Sequence, residues 1–197
     1  MLFQEPIPLN LPNADITYYP KLLSATEADQ YFQSFKTDIP WQQDDITVFG
    51  KTYPQPRLTA LFGENGKSYA YSNIVMQPHP FPELLAALKT RLEKKTNLHF
   101  TTCLMNLYRD GKDSNGWHSD DEKELGPNPI IASISLGQER FFHLRHKSNK
   151  EHKHKMLLEH GSLLLMKGET QHFWQHQIPK TSRTIKERIN LTFRIIK

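Results

Sequence analysis

The 197-residue sequence contains one cysteine, Cys103. A single thiol excludes an internal disulfide and any cysteine-rich zinc site, and it suits a reducing compartment. No window approaches the roughly 18 uninterrupted apolar residues of a membrane helix. Residues 1–20 show no basic stretch followed by a long apolar one, so no secretory leader is expected. No internal repeat is visible. Gly and Pro are neither abundant nor periodic, at 9 and 13 residues, which excludes collagen-like and wholly disordered classes. What remains is a mildly basic globular chain, net charge +4, long enough to bury a core without cross-links. Histidine is plentiful at 10 residues.

Residues 1–14, with Pro6, Pro8 and Pro12, read as an irregular arm, and Asp15–Tyr19 as a short strand. Ser24 and Glu27 form a capping-box pattern ahead of a helix over 25–38 that buries Tyr31, Phe32 and Phe35. Residues 46–49 are β-prone, Gly50 invites a turn, and Pro54 and Pro56 stop any element. Gly63 and Gly66 bracket another turn before Tyr69 and Tyr71. A second helix is predicted from Pro82 to about Lys95, burying Leu84, Leu85, Leu88 and Leu92. From about residue 98, strand-like runs dominate: 100–108, 130–136, 140–146, 155–158, 161–166 and 188–196. Short strands separated by turn signals suggest a sandwich, barrel or jelly roll. Residues 147–154 read as a charged connection.

His118-Ser-Asp120 places two ligand types two residues apart, on one face of a strand. His176 offers a third ligand downstream. Two histidines and one carboxylate on one face of an ion characterise non-haem Fe(II) oxygenases. Along 188–194, Arg188, Asn190, Thr192 and Arg194 share one face and Ile189, Leu191 and Phe193 the other. This fits a strand lining a polar cavity or, equally, a half-exposed strand. Asn106 and Tyr108 also share a face. An arginine on a rigid strand suits a dicarboxylate, which its planar fork grips bidentately. A histidine-rich zinc site at 143–154 lacks cysteine and fixed spacing. Basic residues gather at 143–155 and again at 180–188, as a phosphate-backbone contact would require.

Several blocks, in order, make a more specific match: Asn106-Leu-Tyr108-Arg-Asp-Gly, Gly-Trp-His118-Ser-Asp120-Asp-Glu, Ile-Ala-Ser-Ile-Ser-Leu-Gly137, His160-Gly-Ser-Leu-Leu-Leu-Met166, Trp174-Gln-His176-Gln-Ile-Pro179 and Arg188-Ile-Asn-Leu-Thr-Phe-Arg194. Across 100–196 the sequence resembles the AlkB family of Fe(II)/2-oxoglutarate dioxygenases, in particular its duplex-DNA-repairing homologues. The resemblance implies an α+β fold: a double-stranded β-helix (jelly roll) over 98–197, with a helix-containing nucleotide-recognition lid over 1–97, in one domain. It implies His118, Asp120 and His176 as iron ligands. It implies Asn106, Tyr108, Arg188, Asn190, Thr192 and Arg194 around 2-oxoglutarate, with Arg194 on the distal carboxylate and Arg188 at the metal-chelating end. In the lid, Phe49 would wedge into the base stack and Arg57, Tyr69 and Tyr71 would contact the substrate. Asp121 and Glu122 would accept hydrogen bonds from the base. Trp117 stands where relatives carry a smaller or polar residue.

The implied activity is oxidative N-demethylation of 1-methyladenine or 3-methylcytosine in DNA, single- or double-stranded. Fe(II), 2-oxoglutarate and O2 are consumed or required, and succinate, CO2 and formaldehyde released. The expected protein is a monomer without membrane contact, in the bacterial cytoplasm (nucleoid) or the eukaryotic nucleus. The alternatives are a same-fold oxygenase acting on RNA or protein, and a non-catalytic nucleic-acid-binding jelly roll.

Overall fold

A computed structural model of the chain describes residues 5–48, 50–64, 69–71 and 74–196. In chain order the elements are β1 (Ile7–Pro8), β2 (Asp15–Tyr19), α1 (Ala25–Asp38), β3 (Asp45–Val48), β4 (Lys51–Pro54), β5 (Leu58–Gly63), β6 (Tyr69–Tyr71), β7 (Ile74–Met76) and α2 (Glu83–Thr96). They continue as β8 (Thr102–Tyr108), β9 (Asn115–His118), β10 (Ile131–Gly137), β11 (Arg140–His146), β12 (Lys153–Leu158), β13 (Ser162–Lys167), α3 (Thr170–Phe173), β14 (Trp174–Ile178) and β15 (Arg188–Arg194). Among the described residues no helix is long and apolar enough to cross a membrane.

Two antiparallel sheets stack face to face. The larger has the order β1-β2-β13-β10-β15-β8-β5, the smaller β12-β11-β14-β9. This is the jelly-roll arrangement expected from the strand-rich half. The lid boundary expected near residue 97 does not divide the sheet, however. β2 pairs with β13 and β5 with β8, so strands from the first half complete the larger sheet. The period-two reading overlooked β5 because all but its first residue are buried, leaving no polar alternation to see.

The central strands of the larger sheet, β8 and β15 above all, are buried on both faces. Outward residues of β8, β10 and β15, including Met105, Ile134 and Leu191, pack under the helices. α1 starts at a complete capping box of Ser24 and Glu27 and contributes Ala28 and Phe35, while Tyr31 and Phe32 are half-buried against the same core. α2 contributes Leu85, Leu88 and Leu92, all fully buried. Leu84, expected inside, lies on the solvent side of that helix, 39% exposed, because 85, 88 and 92 already define the inward stripe. Inward residues such as Leu104, Ile131 and Met166 meet Phe142, Trp174 and Ile178 of the smaller sheet in a second core.

The connection expected over 147–154 is shorter and ordered. β12 begins at Lys153, and the Nδ1 of buried His146 accepts from the backbone N–H groups of Ser148 and Asn149. Gly137 closes the β10–β11 turn at φ +80°, where an added Cβ would lie 2.5 Å from a Phe32 ring carbon and 2.7 Å from the Glu187 carbonyl. Gly137→Ala is therefore expected to cost about 1–3 kcal/mol from the left-handed backbone alone, plus displacement of α1. A thermal melt unchanged from that of the parent chain would contradict this packing.

Candidate metal and cosubstrate site

Strand register assembles a group of side chains able to hold a metal ion. β9 and β14 run antiparallel with His118 opposite His176, so both rings rise from neighbouring strands. Their centroids are 4.2 Å apart, and Phe142 stacks on His176 at 5.1 Å. β9 ends at His118. Asp120 sits just past the strand rather than within it, with its N–H donating to Gln171 Oε1 at 3.0 Å. The ligand atoms of His118, Asp120 and His176 lie within 4.8 Å of one another, the one such group of three among the described residues. The histidine-rich stretch 143–154 forms no comparable group.

Protonation states suit a cation. Burial pushes His176 down to about 3, helped by neighbouring His118, so its ring is neutral with a lone pair available. Burial also lowers His118. The His118 Nδ1–H donates to the Gly116 carbonyl at 2.7 Å, leaving Nε2 as the lone-pair nitrogen beside the Asn115 amide. Burial alone would raise Asp120, but Arg194 and the two histidines hold it well below the usual carboxylate range. Arg194 Nη2 donates to Asp120 Oδ1 at 2.5 Å. The donor set is two neutral imidazoles and one carboxylate, which fits a divalent first-row metal.

The same pocket is lined by Asn106, Tyr108, Arg188, Asn190, Thr192 and Arg194 together with the three ligands. All four polar positions of β15 thus face inward, and the strand is buried along its whole length rather than half-exposed. Asn190 Nδ2 donates to Ser133 Oγ at 2.8 Å, and Thr192 Oγ1 to Asn190 Oδ1 at 3.0 Å. Arg188 donates through Nη2 to Ser135 Oγ at 2.9 Å, yet its Nε and Nη1 are buried with no hydrogen-bond partner. Burial lowers Arg188 to about 10, against the helping field of Tyr108. A buried guanidinium with spare donors is uncommon without an anion, and a carboxylate fork would complete it. The residues therefore fit an anionic cosubstrate as well as a metal.

A model of the 2OG-Fe(II) oxygenase superfamily matches residues 15–194. The chain is 43% identical to mouse alpha-ketoglutarate-dependent dioxygenase alkB homolog 3 over 190 residues, covering 92% of this chain and 66% of that one. It is 35% identical to mouse DNA oxidative demethylase ALKBH2, covering 90% of this chain and 79% of that one. The chain belongs to the AlkB group of the 2OG-Fe(II) oxygenase superfamily. It spans just under two thirds of the length of the mouse homolog 3 relative. The solved structure of OsALKBH1 superposes with a TM-score of 0.69 at 17% identity, covering 97% of this chain and all of that one, a likeness of fold. Members of this superfamily use Fe(II), 2-oxoglutarate and O2, and the AlkB-type pocket here carries donors for the first two.

The two arginines stand in the reverse order to the sequence expectation. Arg194 contacts Asp120 and so marks the metal end, while Arg188 lies six residues away beside Tyr108 and Ser135. Strand periodicity identifies a shared face but not which end meets β9, a long-range matter. Arg57, expected in the lid, is 4% exposed and donates to Asn106 Oδ1 at 2.8 Å, so it braces the pocket wall. Asp121 is exposed and pairs with Lys147 at 3.1 Å, and neither it nor Glu122 lines the pocket. Phe49 lies outside the described residues. Tyr69 and Tyr71 fall on β6, paired with β7, and their side chains lie outside the description.

Sequence reading missed Ser133, Ser135, Arg140 and Gln171. The two serines carried a signal, the alternation Ile131-Ala-Ser-Ile-Ser135 on β10. Arg140 donates to the carbonyls of Asp113 and Pro179 and faces the Tyr108 ring. Gln171, fully buried on α3, positions Asp120 through its main chain. Gln171→Ala is expected to weaken divalent-metal binding about 10–100-fold, as loss of such supporting partners does. Calorimetric titration with Mn(II) measures it, and an unchanged affinity would remove Gln171 from the metal site.

Proposed function

We propose that this chain oxidatively demethylates N-alkylated nucleobases, 1-methyladenine and 3-methylcytosine foremost, in DNA. The reading rests on one juxtaposition. The His118–Asp120–His176 group opens into the same pocket as the spare donors of Arg188, in a chain related to alkB homolog 3 and to a named DNA oxidative demethylase. When bound, Fe(II) with O2 and 2-oxoglutarate would supply the oxidation, the cosubstrate leaving as succinate and CO2 and the methyl group as formaldehyde. The chain's residues do the rest. His118, Asp120 and His176 would hold the metal, two imidazoles and one carboxylate being the donor set that suits Fe(II). Arg188, with Tyr108 and Asn106 lining the same pocket, would grip one carboxylate of the cosubstrate. Arg194 fixes Asp120, and the apolar wall of Phe142, Leu158 and Met166 limits water.

The test supplies Fe(II), 2-oxoglutarate and ascorbate to oligonucleotides bearing 1-methyladenine. Single-stranded DNA, duplex DNA and RNA are compared, with a methylated peptide as control. Loss of one methyl group with matching succinate on DNA supports the reading. Turnover on RNA or peptide alone would replace it. No turnover on any substrate, with metal binding intact, would favour a non-catalytic jelly roll.

A further inference from the structure

We infer that the outer face of the smaller sheet is a binding groove for single-stranded nucleic acid, separate from the pocket. Strand alternation produces it. Phe142, Leu158 and Ile178 point into the pocket, so their neighbours Phe141 and Leu157 point the opposite way. Those two are register partners across β11 and β12, and both are large apolar residues in the open, 42% and 36% exposed. Next to them, His143 pairs with Lys155, and the Lys155 ammonium sits 3.9 Å from the Phe141 ring centroid. The segment after β14 forms the second wall, with Pro179, Lys180 and Arg183. The groove encloses about 590 Å³ and shares no lining residue with the metal pocket. That volume lies in the range of small-molecule and nucleotide sites.

The chemistry selects the occupant. Lys155, Lys180 and Arg183 are exposed cations, and Glu139 is the one carboxylate among the described lining residues. Two basic runs that are 25 residues or more apart in sequence, around 155 and 180–183, therefore meet on one surface. An aromatic and aliphatic floor of Phe141 and Leu157, bordered by cations, matches a strand whose bases stack while its phosphates pair with lysine and arginine. Beyond it on the same face, the Arg145 guanidinium stacks on Trp117 at 4.2 Å, extending the basic and aromatic surface across the sheet. An acidic peptide would match the cations but leave Phe141 and Leu157 uncovered by a flat partner.

The inference rests on the nucleic-acid reading above but fails separately from it. Fluorescence anisotropy with an unmethylated labelled oligo-dT of about 20 nucleotides is the measurement, on the full chain. Lys155→Gln with Arg183→Gln should reduce the slope of log affinity against log salt by about 1.4, at roughly 0.7 per phosphate contact on a single strand. Phe141→Ala should weaken binding about tenfold, the lower part of the range for a stacking aromatic. Turnover of a methylated trinucleotide, which reads the pocket, should stay at the parental rate in all these variants. If the oligo-dT affinity and salt slope are unchanged in the charge variant and in Phe141→Ala, the groove assignment is wrong. If an acidic peptide competes as well as oligo-dT, weight for weight, the occupant is not nucleic acid. Absence of trinucleotide turnover in the parent chain would overturn the demethylase reading alone, leaving the oligo-dT result to stand.

Discussion

Replacing Asp120 by alanine is expected to abolish metal-dependent succinate formation and to lower thermal stability together. The carboxylate has two roles in this structure. It lies with His118 and His176 in the group that would hold the metal, and it pairs with Arg194, which is 4% exposed. Removing a ligand outright should weaken metal binding beyond the 10–100-fold seen when a supporting residue is lost. Removing one member of a buried ion pair costs about 3–5 kcal/mol, because the remaining guanidinium keeps its burial and loses that carboxylate. In a chain of this size that is a fall of about 10 °C in the melting midpoint. Asp120→Asn separates the effects, since an amide oxygen still accepts from Arg194 but the ligand charge is gone. Mn(II) titration and thermal melts of the metal-free proteins measure both. Parental Mn(II) affinity in Asp120→Ala would remove the residue from the metal site.

Arg188→Met should act in the opposite sense on stability while removing cosubstrate binding. Without an anion, the buried guanidinium carries two donors with no hydrogen-bond partner, a cost that methionine of similar length does not incur. The apo variant should melt no lower than the parent. Adding 2-oxoglutarate with Mn(II) should then distinguish them. The parent gains about 2.7 kcal/mol at a hundredfold excess over its dissociation constant, and the variant gains only what metal alone provides. The Michaelis constant for 2-oxoglutarate should rise roughly 100-fold, as expected for truncating one member of a desolvated charge pair. Equal cosubstrate-induced shifts in parent and variant would show that the dicarboxylate binds elsewhere. The same comparison on Arg194→Met should instead weaken metal binding, because that arginine sits on Asp120.

Local signals carried most of this architecture. The capping box at Ser24 and Glu27, the apolar stripe of Leu85, Leu88 and Leu92, and the alternation along 188–194 each reflect a repeat that side-chain geometry imposes on one element. The ligand types at 118, 120 and 176 were equally visible, because metal chemistry restricts them to a few residues. What stayed hidden depends on contacts distant in sequence. Which arginine meets Asp120 follows from where β9 docks against β14, with His118 opposite His176, 58 residues later. Arg57 reaches Asn106 behind the pocket because β5, which starts at the next residue, pairs with β8, and no pattern near residue 57 announces this. Gln171 has no motif at all, and its meaning arises only where α3 brings it beneath the Asp120 main chain. The basic runs showed their charge but not the shared groove, since β12 and the segment after β14 come together only in the folded sheet.

The burial of β15 on both faces bears on how this protein tolerates change. Along β15, Ile189, Leu191 and Phe193 answer to the volume beneath the helices, and Arg188, Asn190, Thr192 and Arg194 to the shape and charge of the pocket. Conservative substitutions on the pocket side leave the helical layer's contacts in place, so the pocket can be retuned one position at a time. Length is a different matter. A single residue inserted within β15 exchanges the two sets downstream, sending an arginine under the helices and a leucine or phenylalanine into the pocket. The strand is therefore expected to admit substitution and to refuse insertion, which the turns that join the strands accommodate more readily.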